Sequence, residues 1–391
     1  MSDVFEPAEA AYWRAQWELA PGVSYLNHGS FGPPPRPVRA ARRAWQNQLD
    51  SEPIDFFVRH LEPAWFQARR RLADLIHADE QNLVFVENAT VAMNIVAGSL
   101  PLRPGDEVLL TDHEYGAVQR IWRQATERAD AAVRVAQLPV PIESAEQVVE
   151  AIFSAASERT RLLIVSHITS PTAVTLPIER IVARAKQRGI LVCVDGPHAI
   201  AQLPLDLEQL GCDFYCASCH KWLCAPFGSG FLYVAPQHQA AIRTPLLSWG
   251  RLPPGALQAW SDEFLWSGTR DPSAYLAVPA AIDFLDQVGW ERFRRHTHAL
   301  AQYARQQLSG LTAQRPLTAD SPEWYGSMAH VPLAPGDAPE LQRQLWTDYG
   351  IEVPIISWSD RRWIRVSCHL YTTRQEIDRL VDAVRRLVYA G

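Results

Sequence analysis

The sequence predicts an α/β protein: a mostly parallel, seven-stranded sheet in a large domain, followed by a small α+β domain. Two observations carry this. Short apolar runs alternate with helical patterns from about residue 80, the signature of βαβ units whose sheet is buried on both faces. After about residue 270 the pattern changes to two long helices and then a shorter strand–helix alternation.

Taken in order, NLVFV reads as a strand and TVAMNIVAGSL as a helix. EVLLT, AVRVAQLP, RLLIVSHI and ILVCVD continue as strands, with YGAVQRIWRQATERA, SAEQVVEAIFSAA and IERIVARAKQR as the helices that follow the first three. DFYCAS and GSGFLYV add strands near one edge. PSAYLAVPAAIDFLDQVG and WERFRRHTHALAQYARQQLSGL read as the two long helices. SMAHVPL, ELQRQLWTDYG, IEVPI, WIRVS and RQEIDRLVDAVRRLV then alternate strand and helix. The expected division is a large domain over residues 25–270 and a small one over 271–391, with residues 1–24 packing on the small unit.

Composition narrows the function. The 391 residues are 47% hydrophobic, enough for a sizeable core, and carry a formal net charge of −6 with no long basic run, which argues against nucleic acid as a partner. No stretch has the length and apolarity of a membrane span, and MSDVFEPAEAAYW lacks the basic and apolar regions of a signal peptide, so a cytoplasmic location is expected. The six cysteines show no paired framework, and five fall between Cys193 and Cys224, which suits buried thiols on core strands. Within that stretch C-A-S-C-H matches the c-type haem string. A cytosolic chain is the wrong setting for haem, and zinc lacks a second ligand pair at the right spacing.

Lysine occurs only at Lys186 and Lys221; every other basic side chain is arginine. Where arginine serves for plain charge, a remaining lysine raises the question of what only an amine can do, and an amine in a dry pocket can lose its proton. Lys186 lies on a helical pattern that ends in glycine and suits a solvated face. Lys221 lies in HKWLCAPFG, among apolar and aromatic neighbours.

Ligands of open α/β sheets bind beyond the carboxyl ends of the strands. Four residues collect there. Asp195 ends ILVCVD, Lys221 follows DFYCAS, Thr90 opens a helix after NLVFV, and Tyr115 follows EVLLT. Singly Asp195, Thr90 and Tyr115 have plainer readings: a turn aspartate, an ordinary helix N-terminus, a packing tyrosine. Together the four match pyridoxal 5'-phosphate, which needs an amine, a carboxylate for the pyridine nitrogen, an anion cradle and an aromatic face.

The chain resembles the fold-type I, class V aminotransferase family of pyridoxal-phosphate enzymes, in its isopenicillin N epimerase-like branch. The segments that carry the resemblance are YLNHGSFGPPP, ENATVAMN, DHEYGAV, SHITSPTA, VDGPHAI, SCHKWLCAPFGSGFLYV, WSGTRDPSAY and RVSCHLYTT. The resemblance implies that Lys221 carries the cofactor as an aldimine, Asp195 pairs with the pyridinium nitrogen, His198 approaches the phenolic oxygen and Tyr115 stacks on the ring. Ala89, Thr90, Ser218 and His220 would hold the phosphate. Thr269 would reach the phosphate of a neighbouring subunit, implying a homodimer. Arg365, otherwise an ordinary strand arginine, would take the substrate carboxylate. Asn27, His28 and Thr169 would line the substrate side, with His28 a candidate second acid.

The resemblance leaves several reactions open. Cysteine desulfurases of this family carry a nucleophilic cysteine shortly before the carboxylate arginine; the stretch from Gly336 to Arg362 has none, and Cys368 follows Arg365. A C–S lyase acting on a cysteine conjugate through a Cα carbanion is the leading expectation, with an amino-acid epimerase or aminotransferase as the alternative. Fourteen tryptophans suit either a bulky substrate or core and interface packing. A non-catalytic pyridoxal-phosphate carrier is the remaining option, disfavoured by the carboxylate clamp that Arg365 would supply.

Overall fold

The computed structural model of the protein describes residues 4–251 and 257–389. Strands are labelled in chain order. After β1 (Ser24–Tyr25) come the strands of the large sheet: β2 (Leu83–Val86), β3 (Glu107–Thr111), β4 (Ala132–Ala136), β5 (Thr160–Ser166), β6 (Leu191–Asp195), β7 (Phe214–Ser218) and β8 (Gly230–Val234). They form one seven-stranded sheet in the order β2-β8-β7-β6-β5-β3-β4. Only β8 runs against the others, pairing antiparallel with both β2 and β7. The sequence therefore gives the sheet its strands, but NLVFV becomes an edge and GSGFLYV lies one place in.

The apolar runs are explained by burial on both faces. On β5, Leu163 and Val165 enter one core and Leu162 and Ile164 the other. The period of two along a strand divides each run between the two layers. Helices Ala89–Ser99 and Gly116–Arg128 cover the second face through Met93, Val96 and Trp122. Helices Leu61–Leu75, Ala145–Ala155, Ile178–Gln187 and Val278–Val288 cover the first. At the edge, β4 exposes Val135.

A second, antiparallel sheet of order β11-β12-β9 is built from β9 (Met328–Leu333), β11 (Ile355–Trp358) and β12 (Arg361–Ser367). Helices Trp290–Ser309 and Arg374–Val384 pack with it. IEVPI, expected as one strand, is split: β10 (Ile351–Glu352) pairs in parallel with β1, and Pro354, which has no N–H to donate, stands before β11. The first long helix is likewise broken into Ser273–Leu276 and Val278–Val288, with Pro279 in the first turn of the second piece, where a missing N–H costs nothing.

The N-terminal segment is tied to the C-terminal elements. The Phe5 N–H donates to His296 Nδ1 (3.1 Å), Arg14 pairs with Glu376 (3.0 Å), and Trp13 meets Phe284 edge-on. The described residues contain no helix long and apolar enough to cross a membrane.

Candidate active site

Beyond the carboxyl end of β7 the chain turns sharply. The Cys224 N–H donates to the Lys221 carbonyl (3.0 Å), and the Ala225 N–H to the Cys219 carbonyl (3.1 Å). This turn brings the Lys221 Nζ to 3.1 Å from His198 Nε2. The Trp222 indole N–H donates to His198 Nδ1 (3.2 Å). An indole nitrogen can only donate, so Nδ1 accepts and the ring proton lies on Nε2, facing the amine. Burial, with the charge of Arg365 behind it, lowers the Lys221 ammonium, and Asp195 opposes that shift. Burial raises the Asp195 carboxyl, and Lys221 pulls it back down. Amine and acid are therefore electrostatically linked at the sheet's carboxyl edge.

A group of polar donors lies at the N-terminus of helix Ala89–Ser99. Asn88 caps Ala89–Ser99, its side chain accepting from the Val91 N–H (3.0 Å). The Ala89 N–H donates to Ser218 Oγ (3.0 Å), which leaves the hydroxyl proton of Ser218 free to donate. Thr90 is exposed. His220 stands beside Ser218 and Lys221 in the chain, and its Nδ1 is buried without a partner. Gly230 permits the close approach: a Cβ there would lie 2.6 Å from the Ala217 carbonyl and 2.8 Å from Asn88 Cα.

Arg365 lies on β12, pairs across the ladder with His330 and is only 4% exposed. One terminal nitrogen donates to Ser30 Oγ (2.8 Å) and the other to the Ser170 carbonyl, while Nε is buried without a partner. Among the described residues no carboxylate forms an ion pair with it. A buried guanidinium lacking its counter-charge is costly unless an anion arrives to complete it. Its pKa is pushed down to about 10 by burial.

Other expected residues sit differently. Tyr115 is 49% exposed at the start of helix Gly116–Arg128. Thr269 is exposed, next to Arg270, which pairs with Glu87 (2.9 Å). Asn27 donates to Glu352 (3.1 Å) and keeps a buried Oδ1 without a partner. Thr169 is sealed: its hydroxyl accepts from the Val174 N–H (2.9 Å) and meets Thr172 (2.7 Å). His28 is also sealed, with Nε2 at 2.9 Å from the Lys221 carbonyl and Nδ1 at 2.9 Å from the Tyr371 hydroxyl. Both ring nitrogens are thus occupied by protein groups, which removes the basis for expecting His28 to act as a second acid toward substrate.

Sequence reasoning passed over Glu114, although DHEYGAV contains it. Its carboxyl receives the hydroxyls of Thr111 (2.7 Å) and Ser166 (2.6 Å) and the Ser166 N–H (3.2 Å). Burial first, with Asp195 adding, pushes it up to about 7 against the effect of these bonds. An acidic residue beside a strand end was the available signal.

The donor set fits pyridoxal phosphate: an amine able to lose its proton, a raised carboxyl, an imidazole N–H beside the amine, a free hydroxyl proton of Ser218 at a helix N-terminus, and an orphaned imidazole nitrogen on His220. Fold and site define a pyridoxal-phosphate enzyme of the α/β type. A family model described as aminotransferase class-V matches residues 57–380, and the chain belongs to that pyridoxal-phosphate-dependent family. It is 40% identical to an isopenicillin N epimerase of Amycolatopsis lactamdurans, over 96% of this chain and 97% of that one. It is 31% identical to a putative L-cysteine desulfhydrase of Oryza sativa subsp. japonica, over 98% and 87%. Among solved structures, a C-DES mutant with glycine covalently linked to its PLP cofactor superimposes with a TM-score of 0.83 at 23% identity, covering 95% of this chain and 98% of that one, a likeness of fold.

Proposed function

We propose that the protein removes the Cα proton of an amino-acid substrate, with Lys221 as the base, and that the outcome is β-elimination of a C–S bond in a cysteine conjugate. When bound, pyridoxal phosphate supplies an electron sink that acidifies the substrate Cα–H. Lys221 would hold the cofactor and, once displaced by the substrate amine, accept the Cα proton. Its lowered pKa supports this, because a neutral amine is available near neutral pH. Asp195 would keep a proton on the pyridine nitrogen, a role that burial and the nearby amine suit. His198 would donate its Nε2–H to the phenolic oxygen, in the tautomer that Trp222 selects. Ala89, Thr90, Ser218 and His220 would receive the phosphate, with Tyr115 over the ring and Thr269 completing the site of a second subunit in a homodimer. Arg365 would grip the substrate carboxylate with the donors that Ser30 and Ser170 leave free, Asn27 lying nearby in the chain fold.

The observation that carries the elimination reading is the placed base, the Lys221 Nζ 3.1 Å from His198 Nε2. As the Cα proton goes to Lys221, the Cβ–S bond breaks with its electron pair on sulfur, and the lysine proton can follow to the leaving group. Among the described residues, His28 has both ring nitrogens engaged by protein groups, Lys221 and Tyr371. Epimerisation is the second reading, favoured by the 40% identity to an isopenicillin N epimerase. Tyr115, half-exposed at the start of helix Gly116–Arg128, would then be the opposite-face acid.

Proton NMR in deuterated water, with L-amino acids and cysteine S-conjugates, separates these readings. Pyruvate and a released thiol support elimination. Exchange of the α-proton with an intact side chain and inverted configuration supports epimerisation and overturns the lyase reading.

A further inference from the structure

A second set of buried groups lies under the lysine turn. His28, Cys224 and His369 have no solvent exposure, and their ligand atoms lie within 4.8 Å of one another. The composition suggests a metal site, but the geometry does not. The two imidazoles stack with centroids 4.0 Å apart and planes 16° from parallel. A metal binds in the plane of each ring at about 2 Å, so an ion serving one ring would lie far out of the plane of the other.

The hydrogen bonds point elsewhere. The Lys221 carbonyl, 2.9 Å from His28 Nε2, can only accept, so Nε2 carries the ring proton. Nδ1 must then accept, and the Tyr371 hydroxyl at 2.9 Å is its donor. The same carbonyl receives the Cys224 N–H (3.0 Å). Cys224 holds a left-handed backbone (φ +59°), which side-chain-bearing residues rarely adopt. Its thiol lies 3.3 Å from His369 Nε2, a contact that ties this unusual conformation to the segment after β12. Gly32 closes the cluster from the other side: a Cβ there would lie 2.6 Å from both His28 Nε2 and the Lys221 carbonyl.

We propose that His28 is a positioning residue for Lys221: locked in one tautomer by Tyr371, it donates to the lysine's own carbonyl and fixes the turn that aims the amine at His198. The inference rests on the reading of Lys221 as the cofactor lysine. The clamp links three distant stretches, at residue 28, at 221–224 and at 369–371. The last of these lies on the same run of chain as Arg365, so one segment supports both the amine and the candidate carboxylate clamp.

The test reads amine reactivity of the full-length chain and does not depend on turnover. With only two lysines, acylation of Lys221 by an amine-selective anhydride can be measured by peptide mass spectrometry against Lys186 as internal reference. In wild type, added pyridoxal phosphate must protect Lys221; lack of protection overturns the assignment of Lys221 itself, independently of the clamp. In cofactor-free His28→Ala, Lys221 should acylate about fivefold faster relative to Lys186 than in wild type, the factor expected for one lost neutral hydrogen bond. His28→Gln keeps an N–H donor and should remain within about twofold of wild type. If His28→Ala does not fold, Tyr371→Phe, which removes the tautomer lock but keeps the ring, should change reactivity in the same direction by a smaller factor. The proposal is overturned if His28→Ala labels like wild type, or if His28→Ala and His28→Gln change equally. Wild-type labelling of Tyr371→Phe, where His28→Ala is unfolded, overturns it as well.

Discussion

Arg365→Lys keeps a positive charge at the candidate carboxylate clamp and removes the planar fork. In the wild-type chain one terminal nitrogen donates to Ser30 Oγ and the other to the Ser170 carbonyl and, at 3.4 Å, the Ser170 hydroxyl. Guanidinium has five N–H groups, so at least two remain, enough for a bidentate grip on a carboxylate. An ammonium at the end of a flexible stem offers one point of contact and leaves Ser30 and Ser170 to compete for it. The loss is at least one charge-assisted hydrogen bond, about 1.5–3 kcal/mol, or roughly 10- to 150-fold in kcat/KM. Steady-state kinetics on the preferred amino acid should show this mainly in KM. Spectral titration with the corresponding amine, which lacks the carboxylate, should show little change. Equal losses for acid and amine, or unchanged kcat/KM for the acid, would refute the assignment of Arg365.

Three further predictions follow from the same geometry. Gly32→Ala forces a Cβ to within 2.7 Å of the His220 carbonyl and closer still to Lys221, and backbone cannot yield as a side-chain tip can; stability in urea should fall by about 2 kcal/mol or more, and a neutral result contradicts the packing described. Glu114→Gln keeps a polar acceptor among Thr111 and Ser166 and should keep kcat/KM within about twofold, whereas Glu114→Ala strands their donors and should cost about 1–3 kcal/mol in denaturant unfolding; equal stability of the two variants contradicts the reading of a buried carboxyl held by these donors. Acid should destabilise the protein through its buried histidines. His28 and His113 are lowered to about 3 and His167 to about 4 by burial, so the unfolded chain takes up protons below about 6.5 while the folded chain does not. Their contribution is complete above about pH 6.5 and is lost as pH falls toward the folded values, at ~2 kcal/mol per histidine near pH 5. Glu114 and Asp195, raised by burial, act in the opposite sense, but His198, His220, His296, His330 and His369 are lowered too and outnumber them. A Tm that stays flat or rises from neutral pH to about pH 5 contradicts this balance.

The alternation of strands and helices was legible because each buried strand writes its apolar run into consecutive residues. The helix Arg36–Ser51 was passed over although Val38, Trp45 and Leu49 keep helical spacing, because only Val38 is fully buried and polar residues fill most of the remaining positions. Helix Leu61–Leu75 was legible in principle, since Leu61, Trp65, Ala68 and Leu72 keep helical spacing. At the site, Asp195 and Lys221 announced themselves by residue type and strand-end position. His28 was named only through the resemblance, as a substrate-side residue, because its contacts reach across 193 residues to Lys221 and 343 to Tyr371. Cys224 read as one more core thiol, and only its left-handed backbone and its contact with His369 set it apart.

The most direct test of the account asks which lysine holds the cofactor. The purified protein is reduced with borohydride in the presence of pyridoxal phosphate, digested and mapped by mass spectrometry. The account predicts the reduced cofactor adduct on the peptide containing Lys221 and none on Lys186. An adduct on Lys186, or on neither, would contradict the assignment of the site on which the proposed chemistry depends.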